Sequence, residues 1–134
     1  MRIFLDANIL FSASLSDGAV RTLVHSLLAD DHVLVADEYV LEEARRNLAA
    51  KSRDGTRELI RMAARLEIAA FQAEIPSIVP SSLPEKDRPV LAAALLRARC
   101  DVLVTGDRAH FGALYGRTIG GVTIHSPASL AGAL

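Results

Sequence analysis

Four short apolar runs punctuate the chain: RIFL (2–5), HVLVA (32–36), DVLVT (101–105) and GVTIH (121–125). Each is rich in Val, Ile or Leu with little polar alternation, as in strands buried on both faces. Between them the pattern turns helical, at about residues 17–30, 37–51, 54–72 and 86–99, with single turns of helix near 108–114 and 127–132. Strands alternating with helices predict an α/β fold, a three-layer sandwich with a central parallel sheet flanked by helices. The stretch EIPSIVPSSLPE (74–85) holds three of the five prolines. Because the strand and helix pattern continues beyond it, this stretch reads as an ordered connector and residues 1–134 as a single domain.

Composition narrows the class. Hydrophobic residues make up 51% and charged residues 23%, which excludes wholesale disorder. No apolar run approaches the roughly 20 residues needed for a membrane span. The N-terminus lacks a basic-then-apolar secretory pattern and the lone Cys100 has no disulfide partner, so a cytoplasmic protein is expected. A net charge of −1 conceals sorting: residues 44–65 carry seven basic and two acidic side chains, +5, which leaves −6 for the remainder. Arg57, Arg61 and Arg65 recur every four residues and would share one helix face, suited to phosphate contacts or simply to solvation.

The acidic residues carry more information. FLD and VLVTGD each deliver an Asp at the end of an apolar strand, Asp6 and Asp107, the second after Gly106. Ligands of open parallel sheets gather beyond the carboxyl ends of the strands. Either Asp could instead cap the helix or turn that follows. Asp87 falls in the middle of the apolar stripe drawn by Val90, Leu91, Ala94, Leu95 and Ala98, and Pro89 marks a helix start beside it. Its alternative is an N-cap bonded to the amide of Val90. In DEYVLEEARRNL, Asp37 is the N-cap and Val40, Leu41, Ala44 and Leu48 form the stripe. Glu43 lies about 110° from the centre of that stripe and Glu42 about 150°, so Glu43 is nearer the edge from which a side chain reaches inward.

Four carboxylates in one pocket repel unless protons or cations neutralise them. An all-oxygen set points to Mg²⁺ or Mn²⁺ rather than Zn²⁺, and such a centre hydrolyses phosphodiesters with a metal-bound water. Arg45 and Arg46, directly after Glu43, and Arg108, after Asp107, are the candidates for contacting a polyanionic substrate. The four histidines show no i, i+4 metal pair and read as structural, with His110 the one placed to reach a substrate phosphate. No Gly-rich phosphate loop, Gly-x-Ser-x-Gly elbow or His-Glu-x-x-His motif is present.

In chain order, FLDANIL (Asp6, Asn8), VLEEARRNL (Glu43), KDRPVLAAAL (Asp87) and DVLVTGDRAHF (Thr105, Asp107) resemble the four motifs of the PIN domain family. That family includes metal-dependent ribonucleases and the VapC-like toxins of toxin–antitoxin pairs. The resemblance implies endonucleolytic cleavage of single-stranded RNA with Mg²⁺ or Mn²⁺. Asp6, Glu43, Asp87 and Asp107 would be the catalytic metal ligands, with Asn8 and Thr105 in support. A cognate antitoxin and a homodimer are implied by kinship. Some relatives carry a further acidic residue after Asp107, where this chain has Arg108, Ala109 and His110, so one ion or two remains open. Two other readings are a catalytically silent PIN-fold protein-binding module and a receiver-like Mg²⁺-binding signalling domain. The second needs a Lys at the end of a late strand, and the only lysines are Lys51 and Lys86.

Overall fold

A computed structural model describes residues 1–134. The chain runs β1 (Arg2–Leu5), α1 (Ala7–Leu15), α2 (Ala19–Ala29), β2 (Val33–Asp37), α3 (Glu38–Ala49), α4 (Arg53–Ala63), β3 (Glu67–Ala69), α5 (Arg88–Leu95), β4 (Val102–Val104), α6 (Arg108–Phe111), β5 (Thr118–Ile119), β6 (Val122–His125) and α7 (Pro127–Ala133). The strands form one sheet in the order β3-β2-β1-β4-β6-β5, parallel throughout except where β5 meets β6. Phe4 stands opposite Val35 on one side and Leu103 on the other, at the centre of the core. Helices cover the sheet, burying Leu10, Leu27, Leu48 and Leu91 against it.

From β1 the chain moves outward to β2 and β3, then returns to place β4 on the opposite flank of β1. Strand order therefore reverses between β1 and β4, and the loops leaving their carboxyl ends diverge to open a crevice. Asp6 follows β1, and Thr105, Gly106 and Asp107 follow β4.

Several expectations need correction. Residues 7–15 form a helix that the periodicity did not mark, because α1 buries Ala7, Ile9, Leu10, Ala13 and Ser14 around much of its circumference and so has no clear polar face. The next helix starts at Ala19 after Gly18, and Arg21 answers the end of α1 by donating from Nε to the carbonyl of Ala13 at 2.7 Å. The helix expected over 54–72 stops at Ala63, and Glu67–Ala69 joins the sheet as a three-residue edge strand beside β2. Short exposed edge strands lack the buried pattern by which the others are read. The sheet also gains an antiparallel ribbon, β5–β6, turned by Gly120 (φ +55°) and Gly121 (φ +86°) in the sense of a type I′ hairpin.

The proline-rich connector is ordered, as expected. Val79 and Leu83 are buried, and Arg88 donates from Nε to the carbonyl of Leu83 and from Nη2 to that of Ser81, both at 2.8 Å.

The hairpin yields a test. A Cβ at Gly121 meets nothing within 4 Å, so Gly121→Ala should cost only the left-handed backbone strain, about 1–2 kcal/mol. At Gly120 a Cβ would stand 2.7 Å from Cδ2 of Leu95, so Gly120→Ala should lose more stability than Gly121→Ala in chemical denaturation.

Candidate metal centre

Asp6 sits where β1 ends and is only 4% exposed. Its Oδ1 accepts from the amide of Ala7 at 2.7 Å; its Oδ2 accepts from Thr105 Oγ1 at 2.7 Å and from Asn8 Nδ2 at 3.1 Å. Thr105, fully buried, also accepts from the amide of Asp107 at 3.1 Å. Asn8 joins the two loops, because its Oδ1 accepts from the amide of Gly106 at 2.6 Å. A Cβ on residue 106 would lie 3.2 Å from that oxygen, so Gly106 serves close approach rather than an unusual φ.

Asp87 is 8% exposed and begins α5, yet its carboxylate makes no capping bond to the first-turn amides. It points instead to His110. Nδ1 of His110 lies 2.8 Å from Asp87 Oδ2 and 2.9 Å from Asp107 Oδ2. These are hydrogen-bonding distances without hydrogen-bonding directions: Asp87 Oδ2 and His110 Nδ1 are both buried with no aligned partner. Asp107 does cap the turn after it, since its Oδ1 accepts from the amide of His110 at 3.1 Å, and this leaves Oδ2 to face the ring.

Glu43 and Glu42 part company. The charges of Glu43 and Asp87 both act on Asp6 and on Tyr39, which places Glu43 beside the cluster. Glu42 is paired with Arg45 at 2.6 Å, and that bond lowers its pKa. Arg45 is thereby engaged on its own helix. Arg46 lines a cleft with Tyr39 and Phe71, and Arg108 lies near enough to Tyr115 for its charge to act on that phenol. Within the basic stripe, Arg57 and Arg61 face Asp54 and Glu58 on the same helix.

Three neighbours were not included in the metal set read from the motifs. His110 is one; its spacing of three from Asp107 on a helical turn is the signal that puts both on one face. Tyr39 donates to the carbonyl of Lys86 at 2.6 Å, tying α3 to the residue before Asp87, and Tyr115 donates to the carbonyl of Thr105 at 2.8 Å. Neither tyrosine has a sequence pattern that marks it.

Three donor atoms from Asp87, Asp107 and His110 lie within 4.8 Å of one another. Adjacent ligands of an octahedral ion with bonds of ~2.1 Å stand ~3 Å apart, which matches the two short separations. With two of these donors lacking aligned hydrogen bonds, the residues fit a divalent cation. Burial pushes the Asp6 carboxyl up to about 6, against the hydrogen bonds from Thr105 and Ala7, and the nearby Glu43 and Asp87 charges add to the rise. Burial also raises Asp87; the neighbouring His110 opposes the shift and Asp107 reinforces it.

A raised carboxyl pKa means that the folded state holds this proton more tightly than the unfolded chain. In chelator, Asp6 should therefore cause stability to fall as pH rises from about 4 to about 6, by about 3 kcal/mol. Urea titrations across that range should show a shallower decline for Asp6→Asn than for the wild type, and parallel curves would contradict the assignment.

A sequence profile described as the PIN domain matches residues 2–109. Among solved structures, the chain resembles VapBC2 from Rickettsia felis, bound to a promoter DNA fragment, with a TM-score of 0.67 at 18% identity over 94% of this chain and 98% of that one. It also resembles VapC20 of Mycobacterium tuberculosis, a sarcin-ricin loop cleaving toxin, with a TM-score of 0.60 at 16% identity over 87% and 98%. FitAcB from Neisseria gonorrhoeae superposes with a TM-score of 0.59 at 19% identity over 94% and 98%. No curated protein matches the sequence significantly. At these identities the structures speak for the fold, and the profile, which spans all four acidic motifs, speaks for the family: the chain belongs to the PIN domain family.

Proposed function

We propose that this protein is a divalent-metal-dependent endoribonuclease that cuts phosphodiester bonds of single-stranded RNA, and that it is the toxin of a toxin–antitoxin pair. One observation carries the reading: Asp87 and Asp107, from separated segments, meet at His110 beside the carboxyl ends of β1 and β4, with buried donors that lack aligned hydrogen bonds. The VapC and FitAB likenesses favour the toxin role. The family assignment sets the receiver-like reading aside. Intact carboxylates at all four positions speak against a catalytically silent module.

Each residue has a share in the chemistry. Asp6, Glu43, Asp87 and Asp107 would hold the cation, Mg²⁺ or Mn²⁺, and would orient the attacking water. Thr105 and Asn8 fix the Asp6 oxygens by donating to them. When bound, the metal supplies a water of lowered pKa and a positive charge facing the phosphate. Arg46 and Arg108 offer guanidinium groups to the RNA backbone, whereas Arg45 must first leave Glu42. A second copy of the chain and an antitoxin complete the assembly, which would operate in the cytoplasm; no helix is long and apolar enough to cross a membrane.

Purified protein should cut mixed RNAs with Mn²⁺ or Mg²⁺ and not in chelator. Asp6→Asn and Asp107→Asn should each lower cleavage more than about 100-fold, beyond the effect typical of residues that only support metal ligands. Their melting temperatures should hold or rise as carboxylate repulsion is relieved. Glu43→Gln should behave like them and Glu42→Gln like the wild type. Undiminished cleavage by Asp6→Asn or Asp107→Asn rejects the reading. A small neighbouring gene encoding a DNA-binding N-terminus and a flexible tail would support the toxin role.

A further inference from the structure

Asp6 has a single acceptor position left for a metal, on Oδ1. A carboxylate offers about four acceptor positions, and three are taken by Ala7, Asn8 and Thr105. The open donors lie elsewhere in the crevice. Asp87 is more than nine-tenths buried, and its Oδ2 is aimed at His110 without an aligned bond. The ring of His110 is steered there by Asp107, which accepts from the His110 amide through Oδ1 and presents Oδ2 to Nδ1, and by Phe111, which is fully buried and anchors the turn.

We propose that His110 is a direct ligand of the bound cation through Nδ1, together with Asp87 and Asp107, and that this nitrogen makes the centre select Mn²⁺ over Mg²⁺. The inference rests on the metal-dependent reading above. Mg²⁺ is hard and takes oxygen donors, whereas a mixed nitrogen and oxygen set suits the first-row transition ions, of which Mn²⁺ best tolerates a majority of carboxylates. The spacings of 2.8 and 2.9 Å from Nδ1 to the two carboxylate oxygens are those of adjacent ligands on one ion, and no other side chain is interposed between them.

The test uses the full chain, stripped of metal and titrated with Mn²⁺ alone or Mg²⁺ alone. Pulsed electron paramagnetic resonance of the Mn²⁺-loaded protein should show coupling to ¹⁴N, and His110→Gln should abolish that coupling. By calorimetry, His110→Gln should weaken Mn²⁺ binding at least ~10-fold while changing Mg²⁺ binding less than ~3-fold. His110→Asp, an all-oxygen set, should retain Mn²⁺ without nitrogen coupling and bind Mg²⁺ more tightly than the wild type does. Wild-type protein that binds Mn²⁺ without nitrogen coupling, or a coupling that survives His110→Gln, overturns the proposal while leaving the carboxylate centre standing. Mn²⁺ binding untouched by both Asp87→Asn and Asp107→Asn would reject the centre itself.

Discussion

The fold is organised around a carboxylate that water would otherwise keep. Asp6 is enclosed at the end of the central strand, and an ionised carboxylate in such a place costs several kcal/mol unless it is answered. Three donors answer it, from Ala7, Asn8 and Thr105, and they come from both loops that leave the switch point. The bonds to this one side chain thus tie the end of β1 to the residues that follow β4. Asp87 and Asp107 are carried into the same crevice, where their repulsion is held in place by the packing of the sheet. A cation bound there would relieve that repulsion.

Much of this architecture was legible because it follows from burial. The four strands read from the sequence all exist, since central parallel strands are apolar on both faces and stand out as uninterrupted runs. Elements at the margins were hidden for the same reason. The edge strand Glu67–Ala69 has one wet side and only three residues. The β5–β6 ribbon is announced only by Gly120–Gly121, a pair that permits a two-residue hairpin and of which Gly121 was read as the start of a strand. Helix α1, apolar around most of its surface, has no period to detect.

Of the side chains that meet in the crevice, the aspartates were marked by the sequence pattern and the histidine beside them was not placed with them. Strand ends mark Asp6 and Asp107, and an inward position at a helix start marks Asp87. Glu43 was separated from Glu42 by an angular argument alone, and Glu42 is engaged by Arg45 on its own helix. His110 was read as structural because a metal histidine was sought among histidine pairs, whereas its neighbours here are aspartates, one of them distant in sequence. The basic residues were the least readable, because a guanidinium can face RNA or a glutamate one turn away with equal ease. Arg45, Arg57 and Arg61 take the second option.

The connector before α5 deserves its prolines. Arg88, directly after Asp87, grips the carbonyls of Ser81 and Leu83, so the last residues of that segment and the first turn of the helix move as one piece. Length changes between residues 74 and 80 would be absorbed upstream of this clasp, whereas an insertion between 82 and 86 would pry it open and swing Asp87 out of register with its partners. Evolutionary drift in loop length should therefore be lopsided across the segment, free on one side and barred on the other.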